Sequence, residues 1–171
     1  MATRKKTAPS RWDPIRRRLR YFAWLSGLQF SLSVTCWALQ LAWMRPGRSI
    51  PWPWLAPPGL TLRAFRQVLL AAGLLETVTV VLVYCAIALL MGQGWEWGRR
   101  WDLRVWSACV ALLFVLALAV EWFGVVHAGA WGYRWVAPSF RTPLGGLAVF
   151  PLLQRTLLPA VCIRLAWRLN R

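Results

Sequence analysis

Four long apolar stretches, separated by polar or Pro- and Gly-rich connections, dominate the hydrophobic pattern of this chain. They cover about residues 21–44, 67–91, 105–128 and 144–167. Each is longer than the about 20 residues that an α-helix needs to cross the hydrocarbon core of a membrane. Because lipid offers the backbone no hydrogen-bond partner, we expect these stretches to be helices. The pattern therefore predicts an all-α integral membrane four-helix bundle, with a basic tail over residues 1–20 and a single transmembrane domain over residues 21–171.

The charge of the chain is strongly positive and unevenly distributed. It has 21 Lys and Arg against five acids, a formal charge of +16 and 58% apolar residues. Eight cations precede the first apolar stretch: Arg4, Lys5, Lys6, Arg11, Arg16, Arg17, Arg18 and Arg20. We expect this tail to bind the anionic headgroups of membrane lipids. We expect no nucleic-acid partner, because nothing downstream looks like a groove-reading module.

The distribution of cations between the connections predicts the orientation. Besides the tail, the second connection carries three cations and the C-terminal end three, whereas the first and third connections carry four and two. The excess on one side predicts cytoplasmic termini, and we expect a bacterial cytoplasmic membrane. Aromatic residues then mark the two interfaces: Trp52, Trp54, Trp131, Tyr133 and Trp135 outside, and Trp95, Trp97, Trp101 and Trp106 inside.

The cysteines do not indicate a metal site or a cofactor. One lies in each apolar stretch, without the spacing of metal ligands, and His127 is the one histidine of the chain. A zinc site or a paired-histidine haem site needs more ligands than this. We therefore expect the cysteines to be packing residues, and we expect neither a metal nor a cofactor.

Three charged residues lie inside the apolar stretches and are the best indication of function. Counted at about 1.5 Å per residue, Glu76 and Arg155 reach similar depths near the membrane midplane, so we expect them to form a buried ion pair. Glu121 lies nearer the outer end of its stretch, where we expect it to meet water, His127 or the third connection. The pair could be structural, or one carboxyl could stay protonated and donate a proton. Arg155 could instead hold an anionic group.

The first apolar stretch also carries a polar stripe. Ser26, Gln29, Ser33, Cys36 and Gln40 recur at spacings of three and four, so they share one helix face. Small and polar residues are typical of helix contacts in membranes. Gln29 and Gln40 are costlier to bury, and we expect them to line a polar pocket or a partner interface.

The segment from Glu121 to Leu153 resembles membrane enzymes of carotenoid end-group chemistry. In the carotenoid hydratase-like family, an acid in an apolar helix is followed by Gly-Val, a glycine, an aromatic-Gly pair and Tyr, and later by Gly and Pro-Leu. The matching residues here are Glu121, Gly124, Val125, Gly129, Trp131, Gly132, Tyr133, Gly146, Pro151 and Leu152. The small heterodimer-type lycopene cyclases show a similar layout. The resemblance implies a carotenoid or isoprenoid ligand and Glu121 as an acid.

The chain also departs from the lycopene cyclase pattern. Where those enzymes have Pro-Leu-Glu-Glu, it has Pro151, Leu152, Leu153 and Gln154. The candidate proton donors that remain are Glu121 and Glu76. The candidate binding residues are Arg155, Gln29, Gln40, Trp131, Tyr133 and His127.

Two other classes of function fit the same residues, so the sequence leaves open whether the protein is an enzyme. It could be a non-catalytic subunit or assembly factor of a larger membrane complex, in which case the polar stripe should face outward. It could also be a small dimeric transporter with Glu76 as its proton-coupled site. Arg155 at the same depth opposes that reading, because it would neutralise the carboxylate.

Overall fold

Four long helices make up most of the fold. The computed structural model describes residues 12–41, 44–46, 62–127, 131–133, 139–142 and 145–171, with side chains over 12–40, 66–67, 69–124 and 149–171. The helices are α1 (Asp13–Leu41), α2 (Leu62–Leu90), α3 (Leu103–Glu121) and α4 (Val149–Leu169). All four are long and apolar enough to cross a membrane. The prediction of four such helices is confirmed.

The helix boundaries differ from the predicted ones at two places. Helix α1 begins at Asp13 rather than near residue 21, so the second half of the predicted basic tail is helical. Arginine is a good helix former, which lets the helix extend beyond its apolar part. Helix α4 begins at Val149 rather than near residue 144. The pair Gly145-Gly146 disfavours a helix, since glycine loses more backbone entropy than other residues.

Short strands accompany the helices, and the sequence did not predict them. Strand β1 (Met44–Pro46) pairs antiparallel with β2 (Trp131–Tyr133), which joins the connection after α1 to the connection after α3. Strands β3 (Ser139–Thr142) and β4 (Gly145–Ala148) form a second antiparallel pair directly before α4. A π-helical turn (Trp122–His127) continues α3. These elements lie at one end of the bundle.

The helices pack around α1 and α4. Helix α1 packs against α2 and α4, and α3 packs mainly against α4. Gly73 makes the α1–α2 approach possible, because a Cβ atom there would lie 2.7 Å from Val34 Cγ2. Small residues at helix contacts are typical of membrane bundles. The large apolar side chains that α2 leaves exposed, such as Leu74, Leu82 and Leu89, face away from the bundle.

The other end of the bundle holds an aromatic core beneath the connection between α2 and α3. Trp97 is buried in a short 3-10 turn (Trp97–Arg99) and stacks on Tyr84, with ring centroids 4.8 Å apart. Trp106 is also buried, whereas Trp101 is exposed. Of the four Trp residues predicted at the inner interface, two therefore belong to the packed core of this end.

The same end collects most of the described arginines, and we call it the basic end. Arg20 Nε donates to Asn170 Oδ1 over 2.9 Å, so the start of α1 lies beside the end of α4. Arg164 Nη1 donates to the Arg99 carbonyl over 2.7 Å, which places the α2–α3 connection there too. The described arginines of this end are Arg16, Arg17, Arg18, Arg20, Arg99, Arg100, Arg104, Arg164, Arg168 and Arg171.

Candidate functional site

Three charged side chains from three helices meet inside the bundle, and we call them the charged centre: Glu76, Glu121 and Arg155. Glu76 lies midway along α2, Glu121 is the last residue of α3, and Arg155 lies two turns into α4. Pro159, one turn beyond Arg155, removes an amide donor from this part of α4. The centre thus depends on the relative packing of α2, α3 and α4.

Glu76 and Arg155 form the ion pair that their depths predicted. Arg155 Nε lies 3.1 Å from Glu76 Oε1, and both side chains are largely shielded from solvent. A charge removed from water is costly unless an opposite charge lies beside it. Here the arginine of α4 and the glutamate of α2 neutralise each other. The prediction of a buried Glu76–Arg155 pair is confirmed.

Of the surroundings expected for Glu121, contact with water is excluded, whereas His127 and the third connection have side chains outside the described residues. The Glu121 side chain is 0% exposed rather than in contact with water, and it accepts a hydrogen bond from Arg155 Nη1. The depth estimate for span four assumed that the helix starts near residue 144. Since α4 starts at Val149, Arg155 lies only about 9 Å along it, at the level where α3 ends. The guanidinium therefore joins two carboxylates, not one.

Trp37 completes the surroundings of Glu76, and sequence reasoning did not single it out. Its indole Nε1 donates to Glu76 Oε1 over 2.8 Å. Its ring also lies under the Arg155 guanidinium, 5.2 Å from centroid to Cζ. A signal existed in the sequence, because Gln29, Ser33, Trp37 and Gln40 follow one another at helical spacing.

Two glutamines extend the centre towards the end of α1. Gln154 Nε2 donates to Glu76 Oε2 over 3.3 Å, and Gln40 Nε2 donates to Gln154 Oε1. Gln154 occupies one of the positions where the lycopene cyclases carry a glutamate. The sequence marked it only as a departure from that pattern, yet it contacts the charged centre.

The predicted polar stripe of α1 faces into the bundle. Gln29, Ser33 and Gln40 are all buried, but they do not act together. Gln40 joins the charged centre, whereas Gln29 donates to Ser33 on its own helix over 2.9 Å. The stripe is thus not an outward-facing partner interface within the part of the chain that the structure describes.

The remaining predicted site residues have side chains outside the described residues. The backbone of Trp131 and Tyr133 lies in β2, and that of His127 ends the π-helical turn, but their side chains are not described. Trp52, Trp54 and Trp135 lie wholly outside the described residues.

The residues of the centre favour some kinds of chemistry over others. Two carboxylates and a guanidinium can hold a proton, a polar end group or an anion in a place screened from water. Over the described residues, no group of three His, Cys, Asp or Glu side chains is arranged to hold a metal ion.

Comparisons with known proteins found no match: no family model, no curated protein and no solved structure is significantly similar to this chain. The resemblance to carotenoid end-group enzymes therefore stays a prediction.

Proposed function

We propose that the four helices cross a membrane and that the basic end faces the cytoplasm, in a bacterial cytoplasmic membrane. The cluster of arginines at the basic end supports a cytoplasmic location for that end, because cations are retained on the cytoplasmic face. They would also attract the anionic headgroups of the inner leaflet. A fluorescent protein and an alkaline phosphatase, each fused after Arg171, test the orientation. We expect the fluorescent fusion to fluoresce and the phosphatase fusion to be inactive. An active phosphatase would mean that the basic end faces away from the cytoplasm.

We further propose that the charged centre binds the end of a carotenoid or another isoprenoid lipid and acts on it as an acid. The observation that carries this proposal is the burial of Glu76, Glu121 and Arg155 together between apolar helices. Ionisable residues at such positions are costly and usually serve function. The resemblance of residues 121–153 to carotenoid end-group enzymes begins at Glu121, a member of this centre.

We assign different roles to the two glutamates. Glu76 accepts three donors, from Trp37, Arg155 and Gln154. An ionised carboxylate only accepts hydrogen bonds, so these three donors fit Glu76 as the counter-ion that fixes Arg155. One guanidinium balances one of the two carboxylates, so we take Glu121, where the resemblance to carotenoid end-group enzymes begins, as the protonated acid.

The proposed step is the protonation of a carbon–carbon double bond. The Glu121 hydroxyl gives its proton to one alkene carbon, the π electrons form the new C–H bond, and the neighbouring carbon becomes a cation. Arg155 stabilises the carboxylate that Glu121 becomes. Addition of water, or attack by a second double bond, followed by loss of a proton, would complete hydration or cyclisation.

A non-catalytic role is the second candidate, and one observation favours it. Hydrogen bonds link the charged centre to all four helices through Trp37 and Gln154, as a structural lock would require. A subunit of a larger complex could use such a lock to fix its helices. A proton-coupled transporter working through Glu76 is less well supported, since Arg155 pairs with Glu76 as its counter-ion.

Purification in mild detergent, followed by mass spectrometry of bound lipids and proteins, separates the two candidates. A bound isoprenoid supports the enzyme, and a stoichiometric protein partner without isoprenoid supports the subunit. The variant Glu121→Gln should remain folded and lose conversion of the co-purified lipid. Glu96→Gln is the matched control, because Glu96 is exposed at the basic end. Equal conversion by both variants would dismiss Glu121 as the acid.

A further inference from the structure

We infer that the bound lipid carries a hydroxyl group that donates a hydrogen bond to Gln40 Oε1. The inference rests on the proposed function and narrows its ligand to an isoprenoid alcohol, either as substrate or as product. The observation that supports it is a buried hydrogen-bond acceptor, Gln40 Oε1, at the end of a chain of hydrogen bonds whose direction is set by Glu76.

Glu76 fixes the direction of this chain. Its carboxylate only accepts, so Gln154 must turn its amino group towards it and its carbonyl away. That carbonyl then accepts from the amino group of Gln40. Rotating either amide would bring two acceptors together, so the Gln40 carbonyl oxygen must point away from the centre.

The Gln40 oxygen has no donor among the described residues although its side chain is 2% exposed. A buried acceptor without a donor loses the hydrogen bond it made to water and gains nothing in return. Buried polar atoms in native proteins almost always have a partner. A hydroxyl group of the ligand would supply the missing hydrogen-bond donor.

Gln29 differs from Gln40 because its amide can rotate. Its Oε1 also has no donor in the described part of the chain, and its side chain is equally buried. Its amino group, however, faces the Ser33 hydroxyl, which can donate as well as accept. Rotation of the Gln29 amide is therefore allowed, and no acceptor is held in place there.

The location of Gln40 suits an amphiphilic alcohol. It is the residue before the last of α1, at the end of the bundle that is opposite to the basic end. If the helices cross the membrane, this end lies near the outer interface. An alcohol can keep its hydroxyl there while its hydrocarbon chain extends past Arg155 and Glu121 between apolar helices.

Equilibrium binding of geranylgeraniol and of its methyl ether to the detergent-solubilised full chain tests the inference. The two probes differ in the O–H donor. The wild type should bind the alcohol about five- to tenfold more tightly, the effect of one hydrogen bond to a buried acceptor. Gln40→Met should abolish this preference, and Gln29→Met, the matched control, should keep it.

Three outcomes would overturn the inference, and they differ in what they say about the proposed function. Equal affinity of the wild type for both probes, or a preference that survives in Gln40→Met, would disprove the hydroxyl contact. Neither result would contradict isoprenoid binding. Failure of the wild type to bind either probe removes isoprenoid binding itself. The comparison of the two probes needs no variant, so it holds even if Gln40→Met does not fold.

Discussion

Two buried regions in the part of the chain that the structure describes are held together by opposite means. In the aromatic core at the basic end, Tyr21 stacks on Trp167 with centroids 4.3 Å apart, and Trp97 stacks on Tyr84. Its hydrogen bonds join neutral groups: Trp97 Nε1 donates to the Tyr84 carbonyl over 3.1 Å, and Trp167 Nε1 donates to the Tyr84 hydroxyl over 3.2 Å. In the charged centre, an Arg and two Glu side chains bind one another across helices.

We interpret this difference as one between the scaffold of the bundle and its candidate site. Aromatic packing stabilises one end of the bundle without needing any charge, and each contact is worth a modest amount. The charged centre gains little net stability from its ion pairs, because their attraction offsets the loss of hydration. A bundle that needed only stability could have filled this space with apolar side chains, so the charges point to function.

The largest effect should come from removing the cation of the charged centre. Arg155→Met leaves Glu76 and Glu121 without their shared guanidinium, and we expect a loss of about 3–5 kcal/mol in the free energy of unfolding. Unfolding in mixed micelles measures it. Arg168→Met is the control, since Arg168 is an exposed arginine of the same helix and should have a small effect.

A triple variant sharpens this test. Arg155→Met combined with Glu76→Leu and Glu121→Leu should recover part of the stability, because no buried carboxyl group is left without its arginine. The double variant that keeps Glu121 should not recover it. If the double variant were as stable as the triple one, Glu121 would not belong to the centre.

A smaller effect should follow from removing one indole nitrogen. Trp37→Phe loses the bond to the Glu76 carboxylate, which should cost about 2 kcal/mol, because bonds to charged groups are the stronger ones. Trp106→Phe loses a bond of 2.9 Å to the neutral Arg100 carbonyl at the basic end, and should cost about 1 kcal/mol. Equal losses in thermal unfolding would mean that the charge of Glu76 does not strengthen its bond.

The close packing of the aromatic end can be tested at a glycine. A Cβ atom at Gly98 would lie 2.8 Å from both Ile163 Cγ2 and Trp167 Nε1, so Gly98→Ala should cost about 1 kcal/mol through overpacking. A Cβ atom at Gly27 in α1 meets nothing within 4 Å. Gly27→Ala should therefore be neutral or stabilising, and a loss in both variants would show that the Gly98 contact is not the cause.

The smallest effect is expected for the charged pair at the basic end. Glu96 and Arg99 approach to 3.8 Å, but both side chains are 55% exposed. Exposed pairs contribute little, so Glu96→Gln should change the free energy of unfolding by less than about 0.5 kcal/mol. A loss comparable to that of Arg155→Met would remove the contrast between the two regions.

The sequence predicted the helices and part of the charged centre for physical reasons. Apolar length alone identifies the four helices, since hydrocarbon requires about 20 residues. The Glu76–Arg155 pair followed from depth and from the cost of a lone charge. Both arguments use only local sequence and the thickness of a bilayer.

The rest depended on information that the local sequence lacks. The place of Glu121 required knowing that the strand Gly145–Ala148 delays the start of α4. Trp37 shares a helix face with the polar stripe of α1, but helical spacing does not show which residue of another helix its indole binds. Gln154 appeared as a lost glutamate, while its bond to Glu76 emerges only when α2 and α4 are packed together.

A double-mutant cycle between Arg155 and Glu121 tests the central claim most directly, because this contact was not expected from depth. The free energy of unfolding is measured for the wild type, Arg155→Met, Glu121→Gln and the double variant. We predict a coupling energy of about 1–3 kcal/mol, as found for residues in direct polar contact. Strictly additive losses would contradict a centre in which one arginine joins two buried carboxylates.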